Sequence, residues 1–366
     1  WKQDWMADQL LSLDADIVGF QEIFEETALR DLITETDRRG ALSNAASVPG
    51  PSKGYHKRAI FRKLVYTPYT DATLAFAPNI SDGGPGERRP GLAILSRFGF
   101  TEPPVVLQEL PEPVDIPMSA LGGGQDAGRF TLRRLSRPIL MARIPVGGQV
   151  ISVFNCHLKS KLGEYIRPPG SEIAPEAVLT DYDPIGRAMG SLRAAIRRMA
   201  EAWVLRRAIL AELEKGRPVM ALGDFNDGEH AVSSEIISGE PPFRNYSWML
   251  RHDAKHANDR YTSKENKQIT ENVDRLRLRS AEKIFLRKSL RDMVYTTAFG
   301  GIYESIDQIY MSRHFDPDWK GATGRMHYFS VFNDHLTDGS HPEAPYNKLA
   351  SDHGQIMAHM RLKSAD

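Results

Sequence analysis

Residues 218–227, PVMALGDFND, decide how this chain is read. Val219, Met220, Ala221 and Leu222 form an apolar run of the kind a buried strand uses. The run ends abruptly in Asp224, Asn226 and Asp227. Asp and Asn suit a turn, because their side chains bond the nearby backbone. They equally suit a place where chemistry is done, because functional groups gather where strands end. The rest of the sequence has to weigh the two readings.

Other apolar runs end the same way. DIVGF runs into Gln21 and Glu22. VFNCHLKS carries Asn155 and His157 on alternate positions. SIDQI holds Asp307, and SDHGQI opens with Asp352 and His353. Each has a plain structural account when taken singly. Glu22 reads as a surface acid, His157 as a hydrogen-bonded structural histidine, Asp307 as a solvated strand-end acid and SDHG as a loop. Taken together they are the inventory that a hard divalent cation and a phosphate ester require. Carboxylates hold Mg²⁺, neutral donors and histidines answer charge on phosphoryl oxygens, and a carboxylate orients or deprotonates water.

The surroundings of these runs mix helix and strand. RPILMARIPV and QVISVFNCHLKSK flank Gly147-Gly148 as the strands of a hairpin would. Residues 186–215 are the clearest helix, with Leu192, Ile196, Met199, Trp203 and Leu210 near a 3.6-residue period and Gly216 as a stop. Residues 81–91 are a turn-rich loop, and 101–128, rich in Pro and Gly, read as an excursion. Residues 243–291 are polar and basic and read as an insertion with some helix. The mixture along the whole length predicts one α/β domain over 1–366.

Composition sets outer bounds. The 366 residues are 41% hydrophobic, enough for a large core, with 47 basic against 47 acidic side chains. That balance argues against gripping nucleic acid by bulk charge alone, while leaving room for a local basic face. Cys156 is the single cysteine, so no intrachain disulfide forms. No apolar stretch approaches the ~20 residues of a membrane helix, so no stable membrane insertion is expected. Trp1 is not an initiator, and the chain opens inside a helical pattern, which reads as a fragment lacking an upstream segment. Localisation is unassigned on that account.

The order and spelling of LDADIVGFQEI, GLAILSRF, VFNCHLKSK, MALGDFND, SIDQIYMS and SDHGQIMAHM resemble the endonuclease/exonuclease/phosphatase superfamily of metal-dependent phosphoesterases. The resemblance implies a four-layer sandwich, two packed mixed β-sheets flanked by helices. It implies Glu22 and Asp352 as metal ligands, His157, Asp224, Asn226, Asp307 and His353 as catalytic residues, and Asn155 and Lys159 as phosphate-binding. Within that set, Asp224 would orient or deprotonate water, and His353 would stabilise the transition state with Asp307 as its carboxylate partner. The implied cofactor is Mg²⁺, with Mn²⁺ as a substitute. The implied partner is a phosphoester, DNA or RNA first, with no obligate protein partner. A phospholipid or small-molecule phosphoesterase, or a binding protein on the same scaffold, stays open. Relatives also start with a strand carrying an asparagine near the metal, which has no counterpart here.

Basic clusters give two further expectations. Arg193, Arg197, Arg198, Arg206 and Arg207 on the long helix read as a solvated face before a phosphate-binding one. Arg275, Arg277, Arg279, Lys283, Arg287 and Lys288 in the insertion are the better candidates for a polyanion. Asp334, His335, Asp338 and His341 read as a loop over the site or as a second set of metal ligands.

Overall fold

The computed structural model describes residues 2–46, 65–79, 90–117, 129–165, 184–239, 263–286, 294–299, 301–337 and 350–363. Its centre is the hairpin of β5 (Arg129–Val146) and β6 (Gln149–His157). Val146 pairs with Gln149 across the turn, and Gly147 and Gly148 both take positive φ, 59° and 78°. That pairing matches strand twist in a two-residue turn, and glycine adopts the positive φ it needs at both positions without strain.

β6 pairs in parallel with β7 (Val219–Asp224), which pairs antiparallel with β11 (Asp307–Ser312). With β4 (Val105–Pro117) and the short β8 (Leu278–Ser280) they form a six-stranded mixed sheet, ordered β4-β5-β6-β7-β11-β8. Facing it are the antiparallel sheet β1-β3-β2 (Ile17–Ile23, Gly91–Ser96, Thr73–Ala77) and the pair β12–β13 (Gly324–Phe332, Gln355–Leu362), while β9 (Thr297–Phe299) and β10 (Ile302–Glu304) form a separate short antiparallel pair.

The period-two alternation of strands divides the core. Ile151, Val153, Ile309 and Met311 point inward with Ala75, Leu92, Ile94, Met326 and Phe329 of the facing strands. Phe154, Cys156, Ala221 and Tyr310 point outward, onto Leu205, Ile209 and Leu213 of helix α3 (Pro184–Glu214) and Ile237 of α4 (Val232–Ser238). On the opposite side, α1 (Lys2–Leu13) and α2 (Glu26–Ala46) cover the three-stranded sheet through Ala7, Leu10, Leu29 and Leu32. The result is helix, sheet, sheet, helix, and each large apolar side chain so buried contributes about 1.5–3 kcal/mol. The sheets close tightly at Gly19, where a Cβ would lie 2.2 Å from Leu222 Cδ1.

Three readings of the sequence change in detail. Half of the expected excursion, residues 105–117, is the edge strand β4. It tolerates Pro111 and Pro113 because it is an edge and because its register shifts twice, between Leu107 and Glu109 and again before Val114. The expected helix 186–215 is present as α3, and Gly216 ends it with φ 75°. Its buried face, however, runs through Arg193, Arg197, Glu201, Leu205 and Ile209, whereas Leu192 is exposed. Four of the five helical arginines turn into the protein rather than forming a solvated face, and Arg207 alone of the five is exposed. Arg193 donates to the Glu164 carbonyl, Arg197 pairs with Glu164, Arg206 donates to carbonyls at the end of α4, and Arg207 lies over Trp203.

Of the expected insertion, residues 263–286 are described: α5 (Ser263–Leu276), β8 and α6 (Ala281–Leu286). β8 pairs with β11, and Phe285 joins the core between the sheets. Arg277 and Arg279 bond Asp274 and Asp316, and Lys283 bonds Glu229. Arg287, Lys288, Asp338, His341 and the loop 81–89 lie outside the described residues.

Candidate active site

The strand register builds the site. His157 ends β6 and pairs with Asp224 at the end of β7, and Asp224 pairs with Asp307 at the start of β11. Register partners project to the same face of a sheet, so the three side chains stand in one row. That face is the inner one, at one end of the sandwich. His353 enters from the turn before β13, and its imidazole, Asp224 and Asp307 offer ligand atoms all within 4.8 Å of one another.

The turn after β7 depends on a glycine. Gly223 has φ 133°, and a Cβ there would lie 2.0 Å from the Cys156 carbonyl oxygen of β6. Asn226 has φ 53°, a left-handed conformation that Asn tolerates. Its backbone N–H donates to Asp224 Oδ1 at 2.7 Å, and its amide donates to Asp224 Oδ2 at 3.0 Å and to the Leu158 carbonyl at 2.8 Å. GDFND is therefore a turn closed by Asp and Asn and also the support of a buried carboxylate.

Each acid has its own histidine. His157 Nε2 faces Asp224 Oδ2 at 3.2 Å, and His353 Nδ1 bonds Asp307 Oδ2 at 2.8 Å. Burial works against a charge on His353, but the bond to Asp307 and the charges of Asp307, Asp224 and Asp352 outweigh it and push the imidazole up to about 10. His353 is thus a cation at neutral pH. Burial and the neighbouring Asp224 push Asp307 up while His353 draws it down. Burial also opposes the charge of Asp224, yet His157, His353 and the Asn226 N–H hold it below the usual carboxylate range. Of the four side chains His353 is the most open, 31% exposed against 12% for Asp307, 7% for Asp224 and 4% for His157. The site opens toward His353.

The remaining expected residues sit differently. Asn155 is fully buried, and its amide donates at 2.9 Å to the Phe20 and Ala93 carbonyls and accepts from Gln21 Nε2 at 2.6 Å. It clamps the two sheets beneath the site. Lys159 turns its ammonium back to the Ser160 and Leu162 carbonyls, at 3.4 and 2.9 Å. Glu22 stands exposed with φ 58°, where the β1–β3 register slips between Phe20 and Ile23. Asp352 is exposed beside His353. Neither acid is in the compact Asp224–Asp307–His353 group.

One supporting residue escaped the sequence reading. Thr296 is fully buried, and its Oγ1 accepts from the Ile306 and Asp307 N–H groups at 3.0 and 3.1 Å. Nothing in YTTAFG signals that role. His335, expected in a covering loop or as a metal ligand, bonds the His353 carbonyl through Nε2 at 3.0 Å and packs edge-on against Trp5.

A sequence model of the Endonuclease/Exonuclease/phosphatase family matches residues 3–353. The chain belongs to that family. Members of the endonuclease/exonuclease/phosphatase family are hydrolytic phosphoesterases and generally depend on a divalent metal. No curated protein matches the chain. Similar solved structures include an endonuclease/exonuclease/phosphatase family protein from Leptotrichia buccalis, 14% identical, covering 99% of this chain and 93% of that one, TM-score 0.44. Others are a mannosyl-6-phosphatase from Bacteroides thetaiotaomicron (13%, 99% and 91%, TM-score 0.44) and the human Nocturnin catalytic domain (13%, 99% and 86%, TM-score 0.43).

The residues present fit a metal of the kind this family uses. Acids outnumber the imidazolium around the mouth, which repels a phosphate until a cation is added. Glu22 has no hydrogen bond or ion pair among the described residues and takes a positive φ of 58°. All-oxygen carboxylate donors favour a hard divalent ion.

Proposed function

We propose that this protein is a divalent-metal-dependent hydrolase of phosphodiesters, acting on nucleic acid. The observation that carries the reading is the row His157–Asp224–Asp307 with His353 Nδ1 seated on Asp307. Asp224, held by Asn226 and His157, accepts a hydrogen bond from water and takes its proton as the water attacks phosphorus. Asn226 fixes the carboxylate and thereby the line of attack. His353 donates from its free ring nitrogen to a phosphoryl oxygen and answers the charge that grows there. Asp307 keeps that ring charged and turned. Glu22 and Asp352 would hold Mg²⁺ or Mn²⁺, which when bound supplies Lewis-acid neutralisation of the phosphate. A diester, with a single negative charge, suits a mouth so rich in acids better than a monoester dianion.

A second reading within the same chemistry is a phospholipid diester. Phe24, Leu162, Phe299, Ile302 and Tyr303 are exposed large apolar residues on segments that adjoin site-bearing strand ends. Such side chains favour an apolar leaving group over a polyanion. The test is nicking of supercoiled plasmid with Mg²⁺ or Mn²⁺, beside bis(p-nitrophenyl) phosphate, p-nitrophenyl phosphate and phosphatidylcholine vesicles. EDTA and Asp224→Asn are the controls. Metal-dependent nicking lost in the variant supports the nuclease. Hydrolysis of vesicle lipid without nicking moves the substrate to lipid, and hydrolysis of the monoester alone sinks the diester reading.

A further inference from the structure

Helix α3 passes behind the loops that leave β6 and β7, and one of its side chains touches both. Arg198 donates from Nε to Asp227 Oδ2 at 2.6 Å and from Nη1 to the Lys159 carbonyl at 3.1 Å, with its side chain 11% exposed. Lys159 follows His157 closely, and Asp227 follows Asp224 closely. His157 and Asp224 are themselves register partners, so the guanidinium bridges the two loops directly behind the site.

Both ends of the bridge are anchored. Asp227 Oδ2 also accepts from Ser233 Oγ at 2.6 Å, and the Asp227 carbonyl accepts from Gln308 Nε2 at 2.8 Å. On the other side Glu201, one turn along α3, accepts the Lys159 N–H at 2.7 Å and Ser136 N and Oγ at 2.7 and 2.6 Å. Arg198 thus touches the segments that support His157 and Asp224 and is bonded to neither side chain.

We infer that Arg198 is a positioning residue that sets the separation of the His157 and Asp224 side chains. The kinetic side of this inference rests on the phosphodiesterase reading above. A planar guanidinium holds two acceptors at a fixed angle, whereas a lysine ammonium is a point charge on a flexible stem. His157 Nε2 and Asp224 Oδ2 stand at 3.2 Å, so a small spreading of the loops parts them.

The experiment compares the full chain with Arg198→Lys, which keeps the charge beside Asp227 and loses the fork. Thermal midpoint, kcat and KM on bis(p-nitrophenyl) phosphate with Mg²⁺, and imidazole ¹⁵N resonances of the metal-free protein are measured. The lysine variant is expected to melt like the parent and to keep its KM. It should lose kcat by about tenfold to a hundredfold, and the His157 resonances should shift while those of His353 stay. Parental kcat with parental His157 resonances overturns the inference, as does a kcat loss that only tracks the folded fraction. If the lysine variant does not fold, Asp227→Asn takes its place with the same expectations. If the parent hydrolyses no phosphodiester, the functional reading fails, and the His157 resonances alone decide the positioning role.

Discussion

Asp224 and Asp307 stand opposite each other on antiparallel β7 and β11, so two buried carboxylates share one small volume. Like charges this close are costly, and the two histidines relieve the cost from opposite sides, His157 on Asp224 and His353 on Asp307. The arrangement draws Asp224 below the ordinary carboxylate range, pushes Asp307 above it and raises His353.

His353 should therefore titrate late. Its folded value, about 10, exceeds the ordinary histidine value of 6.5, so its pairing stabilises the fold fully below pH 6.5. That contribution is lost as pH rises through about 10. In Asp307→Asn the ring should titrate at lower pH. An NMR titration of the metal-free protein checks this, and an unchanged His353 midpoint in the variant would refute it.

Asp224→Ala and His353→Ala should each cut kcat/KM by about 10²- to 10⁴-fold while unfolding remains cooperative. Steady-state rates beside circular-dichroism melts make the comparison. Near-parental turnover in either variant would remove that residue from the chemistry.

Glu212 tests stability away from the site. It is 3% exposed, accepts from Arg143 at 2.9 and 2.8 Å, from Ser152 at 2.7 Å and from Arg217 at 2.7 Å. Burial opposes its charge, but these donors hold its carboxyl well below the ordinary range. The stability it confers is present above the ordinary glutamate value of 4.5 and is lost as pH falls toward the depressed folded value. Glu212→Ala should cost roughly 1–3 kcal/mol, because Arg143, Ser152 and Arg217 lose a charged acceptor while Arg143 keeps its pair with Glu102. Glu212→Gln should flatten the acid limb of stability. Urea melts across pH are the measurement, and a variant as acid-sensitive as the parent would contradict the account.

Gly223→Ala should be among the most damaging single changes. The added Cβ meets the Cys156 carbonyl oxygen, and φ 133° is closed to alanine. A loss of more than about 3 kcal/mol is expected, with the β6–β7 register disturbed and turnover lost with it. A melt within a few degrees of the parent would show that the strands can part cheaply there.

The parts of this molecule legible in its sequence are those where polarity interrupts an apolar run. Asp224, Asp307 and His157 stand out as a set, because several apolar runs end in polar residues at once, although each alone also suits a turn or a surface. The Gly147-Gly148 hairpin is legible for a similar reason, since its turn demands residues free to take positive φ. What stayed hidden depends on contacts between distant segments. Arg193, Arg197 and Glu201 lie at helical spacing on one face with Leu205, but a charged residue there reads as solvent-facing until Glu164, Ser136 and Lys159 are brought against it. β4 was obscured by its prolines, which local rules assign to loops and which an edge strand can carry. Asn155 and Lys159 have the chemistry to bind phosphate, and only the fold shows that backbone takes up their donors.

Those prolines have a consequence for how this protein behaves in company. The six-stranded sheet ends on one side in β4, which has no N–H to offer at Pro111, Pro113 and Pro117 and which kinks at its register shifts. A second chain trying to extend the sheet there would find a broken template. At the other margin β8 is only three residues long and offers little to pair with. A sheet broad enough to seed fibrils thus carries margins that discourage strand addition, and the site at its end can stay open without exposing a sticky edge.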